Sequence, residues 1–146
     1  MSDSDADGED DEPQSRAGDS FPEGTFNSWL GLTIEEECGG EAVISVEYED
    51  FKQNPGGILH GGVTATLVDV AAAVAIRSTL DDQHRTLATT NLEINYLRPI
   101  TETAYASAEV IRVGSSTAVV RVDVESLTPD ADRTDAAIGT VTYRLL

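Results

Sequence analysis

Nearly every residue from Val63 to Ile76 is apolar or small, and only Thr64, Thr66 and Asp69 are polar. Two glycines, Gly61 and Gly62, open the run. Its length predicts a helix from about Gly61 to Leu80, and its apolar character on almost all sides predicts burial. The chain around it is patterned for strands, so this helix needs a sheet to wrap it. The chain's 146 residues suffice for one domain with a core.

Leu32–Glu37 and Glu41–Glu49 flank Cys38-Gly39-Gly40, a hairpin signal. In the second run Ala42, Ile44, Val46 and Tyr48 alternate with more polar positions, which predicts one buried face. Phe26, Trp29 and Leu30 recur at helical spacing and predict a short helical packing plug. Residues 51–59 read as a loop around Asn54-Pro55-Gly56-Gly57. After a polar loop at Asp81-Asp82-Gln83-His84, strands are predicted over about 86–97, 103–113, 117–126 and 136–145. Their short connections predict an antiparallel meander. The order β-β-α-β-β-β-β gives an α+β class: an antiparallel sheet with one long helix on it.

Residues 1–20 are rich in Asp, Glu, Ser and Gly and are expected to be a disordered acidic tail, with the folded domain over 21–146. The formal net charge is -18, which disfavours nucleic acid and anionic membrane surfaces as partners. The folded part is acidic too: residues 25–146 hold 18 acids against eight bases, a net of -10. Eight Arg and one Lys make up the cations. This composition is that of proteins from salt-loving microbes, where molar salt shortens the screening length to about 3 Å. No apolar stretch is long enough for a membrane span. The N-terminus lacks the apolar region of a secretory signal. A single cysteine, Cys38, fits a reducing cytoplasm. It follows three glutamates, a poor setting for a reactive thiol, and reads as structural.

Asp69 is the sharpest chemical signal. A carboxylate in an apolar helix is costly unless partnered. One turn away stand Ala65, Thr66, Ala72 and Ala73, and Arg77 is two turns off, about 12 Å along the axis. Either Asp69 lies on a solvated strip or it belongs to a site. Gly61-Gly62 is the second signal: glycines at a helix start let a ligand reach free N–H groups at the positive end of the dipole. Such groups can stabilise an oxyanion. Gly61 and Asp69 are eight residues apart, about 12 Å on one helix. Reacting groups must approach within about 3–3.5 Å, so both can serve one reaction only from two helices. A two-fold dimer with antiparallel helices would bring each Gly61 near the other chain's Asp69. His60 reads as a residue that fixes the loop, for no acid is near it in sequence. His60 and His84 lack metal-ligand spacing, so no metal is expected, and G-x-S-x-G is absent.

Asn54, five residues, His60-Gly61-Gly62, six residues and Asp69, followed by Asn95-Tyr96-Leu97-Arg98-Pro99 and Arg112-Val113-Gly114, form a specific set of spacings. Over about residues 26–146 the chain resembles the hotdog-fold acyl-CoA thioesterases of the phenylacetate-pathway (PaaI) type. The resemblance implies a sheet wrapped around a central helix and hydrolysis of an acyl- or aryl-CoA to the acid and free CoA. It implies that the Gly61 N–H polarises the thioester carbonyl, with Gly62 beside it. Asp69 of the partner chain would act as general base or nucleophile, Asn54 would hold the thioester or water, and His60 would support the loop. Thr89, or its neighbour Thr90, would orient the water. Arg98, Arg112 and Arg121 are candidates for the CoA phosphates. No cofactor is implied, since coenzyme A is part of the substrate. The implied assembly is a homodimer at least, as a dimer of dimers in a cytoplasmic homotetramer. A hotdog enoyl-CoA hydratase and a non-catalytic acyl-CoA-binding module are the alternatives. The hydratase needs an Asp/His pair at a loop–helix junction. The binding module has no use for Asp69.

Overall fold

A computed structural model describes residues 19–146. The expected disordered tail lies outside these residues except for Asp19 and Ser20, which form a two-residue strand, β1. There follow helix α1 (Phe26–Leu30), strands β2 (Thr33–Cys38) and β3 (Glu41–Val46), helix α2 (Gly61–Arg77), and strands β4 (Leu87–Tyr96), β5 (Ala104–Val113), β6 (Thr117–Leu127) and β7 (Arg133–Leu145). All pairings are antiparallel, in one seven-stranded sheet of order β1-β2-β3-β5-β6-β7-β4.

The sheet is not the simple meander predicted for its last four strands. β4 lies at the far edge, paired with β7 from Leu87↔Leu145 to Tyr96↔Ala137, and β5 takes β3 as its other neighbour. Residues 97–103 make the crossing. Seven residues reach at most about 23–25 Å, against roughly 14 Å for three strand spacings. The connection is tied down on the way. The N–H groups of Leu97 and Arg98 donate to the Ala136 carbonyl, and the Leu59 N–H donates to the carbonyl of buried Ile100.

α2 packs mainly on β5, β3 and β6. Its seven β-branched residues (Val63, Thr64, Thr66, Val68, Val70, Val74 and Ile76) cost roughly 0.5 kcal/mol each in helix propensity. Burial outweighs that: Leu67, Val68, Val70 and Ile76 join the core, at about 1.5–3 kcal/mol each. Burial is not complete, however. Gly62, Thr66, Asp69 and Ala73 form a strip that stays partly open. The helix stops at Arg77, short of the predicted Leu80. Thr79 Oγ1 donates to the Ile76 carbonyl, and Gln83 Nε2 donates to those of Arg77 and Leu80, so side chains take over the last carbonyls.

Other boundaries shift by a few residues: β3 ends at Val46 and β7 starts at Arg133. The expected plug at α1 is a single residue, Leu30, which is buried. Phe26 and Trp29 are 59% and 65% exposed and stack on each other, with Trp29 also against Phe51. Cys38 is exposed at the β2–β3 turn. Among the described residues no helix is long and apolar enough to cross a membrane.

Gly139 on β7 pairs with Ile94 on β4. A Cβ there would sit 2.8 Å from the Glu93 carbonyl oxygen, a backbone atom with little room to yield. Gly139→Ala is expected to cost about 1–3 kcal/mol, read as a lower urea midpoint at unchanged slope.

Candidate functional site

The loop before α2 is built around Asn54. Its Oδ1 accepts from the N–H groups of Gly56 (2.8 Å) and Ile58 (3.3 Å), an Asx turn closed by Asn54 N–H to the Ile58 carbonyl. Tyr48 donates its hydroxyl to the Gly57 carbonyl. Gly57 holds φ of 82°, a conformation that favours glycine. The side-chain oxygen of Asn54 is thus occupied by its own turn, while its NH2 has no acceptor among the described residues. Buried Lys52 anchors the loop's start, donating to the Glu47 carbonyl (3.0 Å) and pairing with Glu49 (2.6 Å).

His60 is the N-cap of α2. Its Nδ1 accepts from the Gly62 N–H at 2.9 Å, and its own N–H donates to the Lys52 carbonyl at 2.8 Å. The Gly62 donor that the sequence suggests for substrate is therefore engaged. The N–H groups of Val63 and Thr64 turn back to the His60 carbonyl. This leaves the Gly61 N–H without an acceptor among the described residues. Tyr96 on β4 donates its hydroxyl to the Gly61 carbonyl at 2.7 Å, fixing the peptide that follows. Asn54, Gly61, Thr64, Tyr96 and Arg98 line one cleft of about 470 Å³.

Asp69 opens on a different cleft, of about 490 Å³. Its wall is apolar at Phe21, Ile34, Val70, Val74 and Leu87, with Thr89 and Tyr143 beside the carboxylate. Thr89 Oγ1 donates to Asp69 Oδ1 at 2.7 Å. Thr90 faces away and donates to the Thr142 carbonyl at 3.2 Å, and the β4–β7 register shifts between Thr89 and Asn91. The structure thus separates the two threonines that the sequence left open.

Tyr143, which the sequence reading did not single out, donates to the same Asp69 Oδ1 at 2.7 Å and lies 2.9 Å from the Asp69 carbonyl. A signal existed: Val141, Tyr143 and Leu145 alternate inward on β7, and a buried tyrosine hydroxyl needs a partner. Burial pushes the Tyr143 phenol well above its ordinary value, and the hydrogen bond and charge of Asp69 push it further, while Thr89 pulls the other way.

Among the arginines, Arg98 donates to the Asp135 carbonyl at 2.7 Å. Arg121 is held by Asp123 at 3.3 Å. Arg112 is exposed on β5. Gly61 and Asp69 do not meet within one chain: they lie on separate clefts, eight residues apart along α2.

Comparison with known proteins supplies the family. A profile of the thioesterase superfamily matches residues 56–131. A Halobacterium salinarum protein named as an unconfirmed esterase is 36% identical over 124 residues, covering 81% of this chain and 82% of that one. This chain belongs to the thioesterase superfamily. It is also 32% identical over 134 residues to the medium/long-chain acyl-CoA thioesterase YigI of Salmonella typhimurium, covering 81% of this chain and 83% of that one. A point mutant of the phenylacetic acid degradation protein PaaI from Thermus thermophilus superposes with a TM-score of 0.71 at 26% identity, covering 83% of this chain and 98% of that one. The wrapped helix of this thioesterase-superfamily chain is the hotdog arrangement.

The Tyr143 phenol gives an alkaline signature. In the unfolded chain it ionises near 10, and in the fold it keeps its proton to higher pH. Its contribution to stability is therefore complete below pH 10 and is lost as pH rises through the folded value. The urea midpoint is expected to fall above pH 10, and less steeply in Tyr143→Phe.

Proposed function

We propose that the protein hydrolyses acyl-CoA thioesters at composite sites, each joining Gly61 of one chain to Asp69 of another. The observation that carries this reading is the division of the donors and the carboxylate. The free Gly61 N–H and the free NH2 of Asn54 share one cleft, while Asp69 and Thr89 stand at another about 12 Å away along the same helix. Antiparallel packing of two α2 strips, which are free of bulky side chains at Gly62, Thr66 and Ala73, would bring the halves within reach.

In this reading the thioester oxygen accepts from the Gly61 N–H, so the charge that develops on it meets a fixed donor at a helix N-terminus. Asn54 adds its NH2, and His60 holds the loop. Water held by Thr89 and Asp69 of the partner chain attacks the carbonyl carbon and gives its proton to the carboxylate. The tetrahedral intermediate then expels the sulfur, the C–S bond breaks, and the thiolate of coenzyme A takes up a proton. The same carboxylate could instead attack the carbon directly and form an anhydride that water opens. Neither route needs a cofactor or a metal. The acyl group would lie against Phe21, Ile34, Val70, Val74 and Leu87. Arg98, which also donates to the Asp135 carbonyl, and Arg112 are the cations offered to the CoA phosphates, because the charge of Arg121 is already paired with Asp123.

The assembly follows from the same reading. Among the described residues the outer edge of β4, ten residues long, has no partner strand. Leu92, Tyr96 and Leu97 are exposed near it, and such an edge invites a second strand. We infer a homodimer at least, arranged as a dimer of dimers, in the cytoplasm of a salt-loving cell, whose ionic strength would screen the charge of -18.

Thiol release from a panel of acyl-CoAs at high salt tests the chemistry. Wild type is expected to turn over at least one, and Asp69→Ala to lose at least about 100-fold in kcat. An Asp69→Ala protein as active as wild type would refute the mechanism. Light scattering on the active species tests the composite site: a dimer or larger is expected, and an active monomer would rule it out.

A further inference from the structure

We propose that Tyr143 is a positioning residue: together with Thr89 it holds Asp69 Oδ1 and leaves Oδ2 as the oxygen that reacts. The proposal rests on the reading of Asp69 given above. Two hydroxyls from two different strands, Thr89 on β4 and Tyr143 on β7, converge on one carboxylate oxygen at 2.7 Å each. Oδ2 receives no hydrogen bond among the described residues. A carboxylate oxygen that already accepts two strong donors is the weaker base and nucleophile of the pair, so proton uptake or attack falls to the other oxygen. The two donors also stop rotation of the carboxylate, which would otherwise exchange the two oxygens.

Tyr143 suits this task for reasons that sit outside the cleft. Its ring is packed with Val141 and Leu145 in the core, and only 4% of the residue is exposed. Its hydroxyl also lies 2.9 Å from the Asp69 main-chain carbonyl, so the same atom registers the helix turn that carries the acid. Burial keeps the phenol protonated, hence a donor, across the range in which the hydrolysis would run. Thr89 is exposed, whereas Tyr143 is fixed by the core. Positioning of this kind acts on the chemical step and not on substrate affinity.

Tyr143→Phe keeps the ring and removes the donor. In thiol-release kinetics it is expected to lower kcat about 10- to 100-fold, the range that loss of one hydrogen bond to a charged group implies, with KM within about twofold. Combined with Thr89→Val, the loss should differ from the product of the single losses, since both act on one oxygen. Incorporation of 3-fluorotyrosine at position 143 keeps the shape and strengthens the donor. It should change kcat with KM within about twofold, and it carries the test if the phenylalanine variant folds poorly. Wild-type kcat in Tyr143→Phe, with Asp69→Ala inactive, would overturn this proposal alone. An Asp69→Ala protein with full activity would overturn it together with the reading it rests on.

Discussion

The burial of α2 on the sheet is the constraint on which the rest depends. The helix is poor in intrinsic propensity and rich in β-branched residues, so it exists because the strands remove its apolar side chains from water. The sheet covers Leu67, Val68, Ala71, Ala72, Ala75 and Ile76. It cannot cover all sides of a helix at once. What is left is a narrow strip of small or polar residues, and Asp69 stands on it.

That geometry turns a packing requirement into a chemical one. On an isolated helix Asp69 would have no partner within one turn. In the fold, β4 and β7 bring Thr89 and Tyr143 to one of its oxygens, because these two strands are neighbours at the sheet edge closest to that strip. At the N-terminus of the helix the His60 side chain engages Gly62, and among the described residues the Gly61 N–H has no acceptor. The cap takes the N–H of Gly62 and not that of Gly61.

Charge frames the site without building it. The chain is strongly acidic, yet the two clefts differ in lining: one has Asn54, Gly61 and Arg98, the other Asp69, Glu37 and Arg77 beside an apolar wall. The exposed stack of Phe26, Trp29 and Phe51 lies beside the N-terminal turn of α2, and Lys52 sits beneath Phe51.

Much of this was readable from residues alone. The length of the apolar run predicted the helix, and alternation together with the turn residues between runs predicted all but the shortest of the strands. The eight residues between Gly61 and Asp69 already required two helices for one reaction, since the rise per residue is a constant of the α-helix. The sequence could not say that β4 crosses to the far edge, because strand order depends on non-local pairing and on the burial of Ile100. Nor could it choose Thr89 over Thr90, a choice made by a register shift beside Asn91. Tyr143 stands 74 residues beyond Asp69, and only tertiary structure brings its hydroxyl to that carboxylate. Spacing along a chain is local information, whereas the partners of a half-buried acid are set by which strands the fold places side by side.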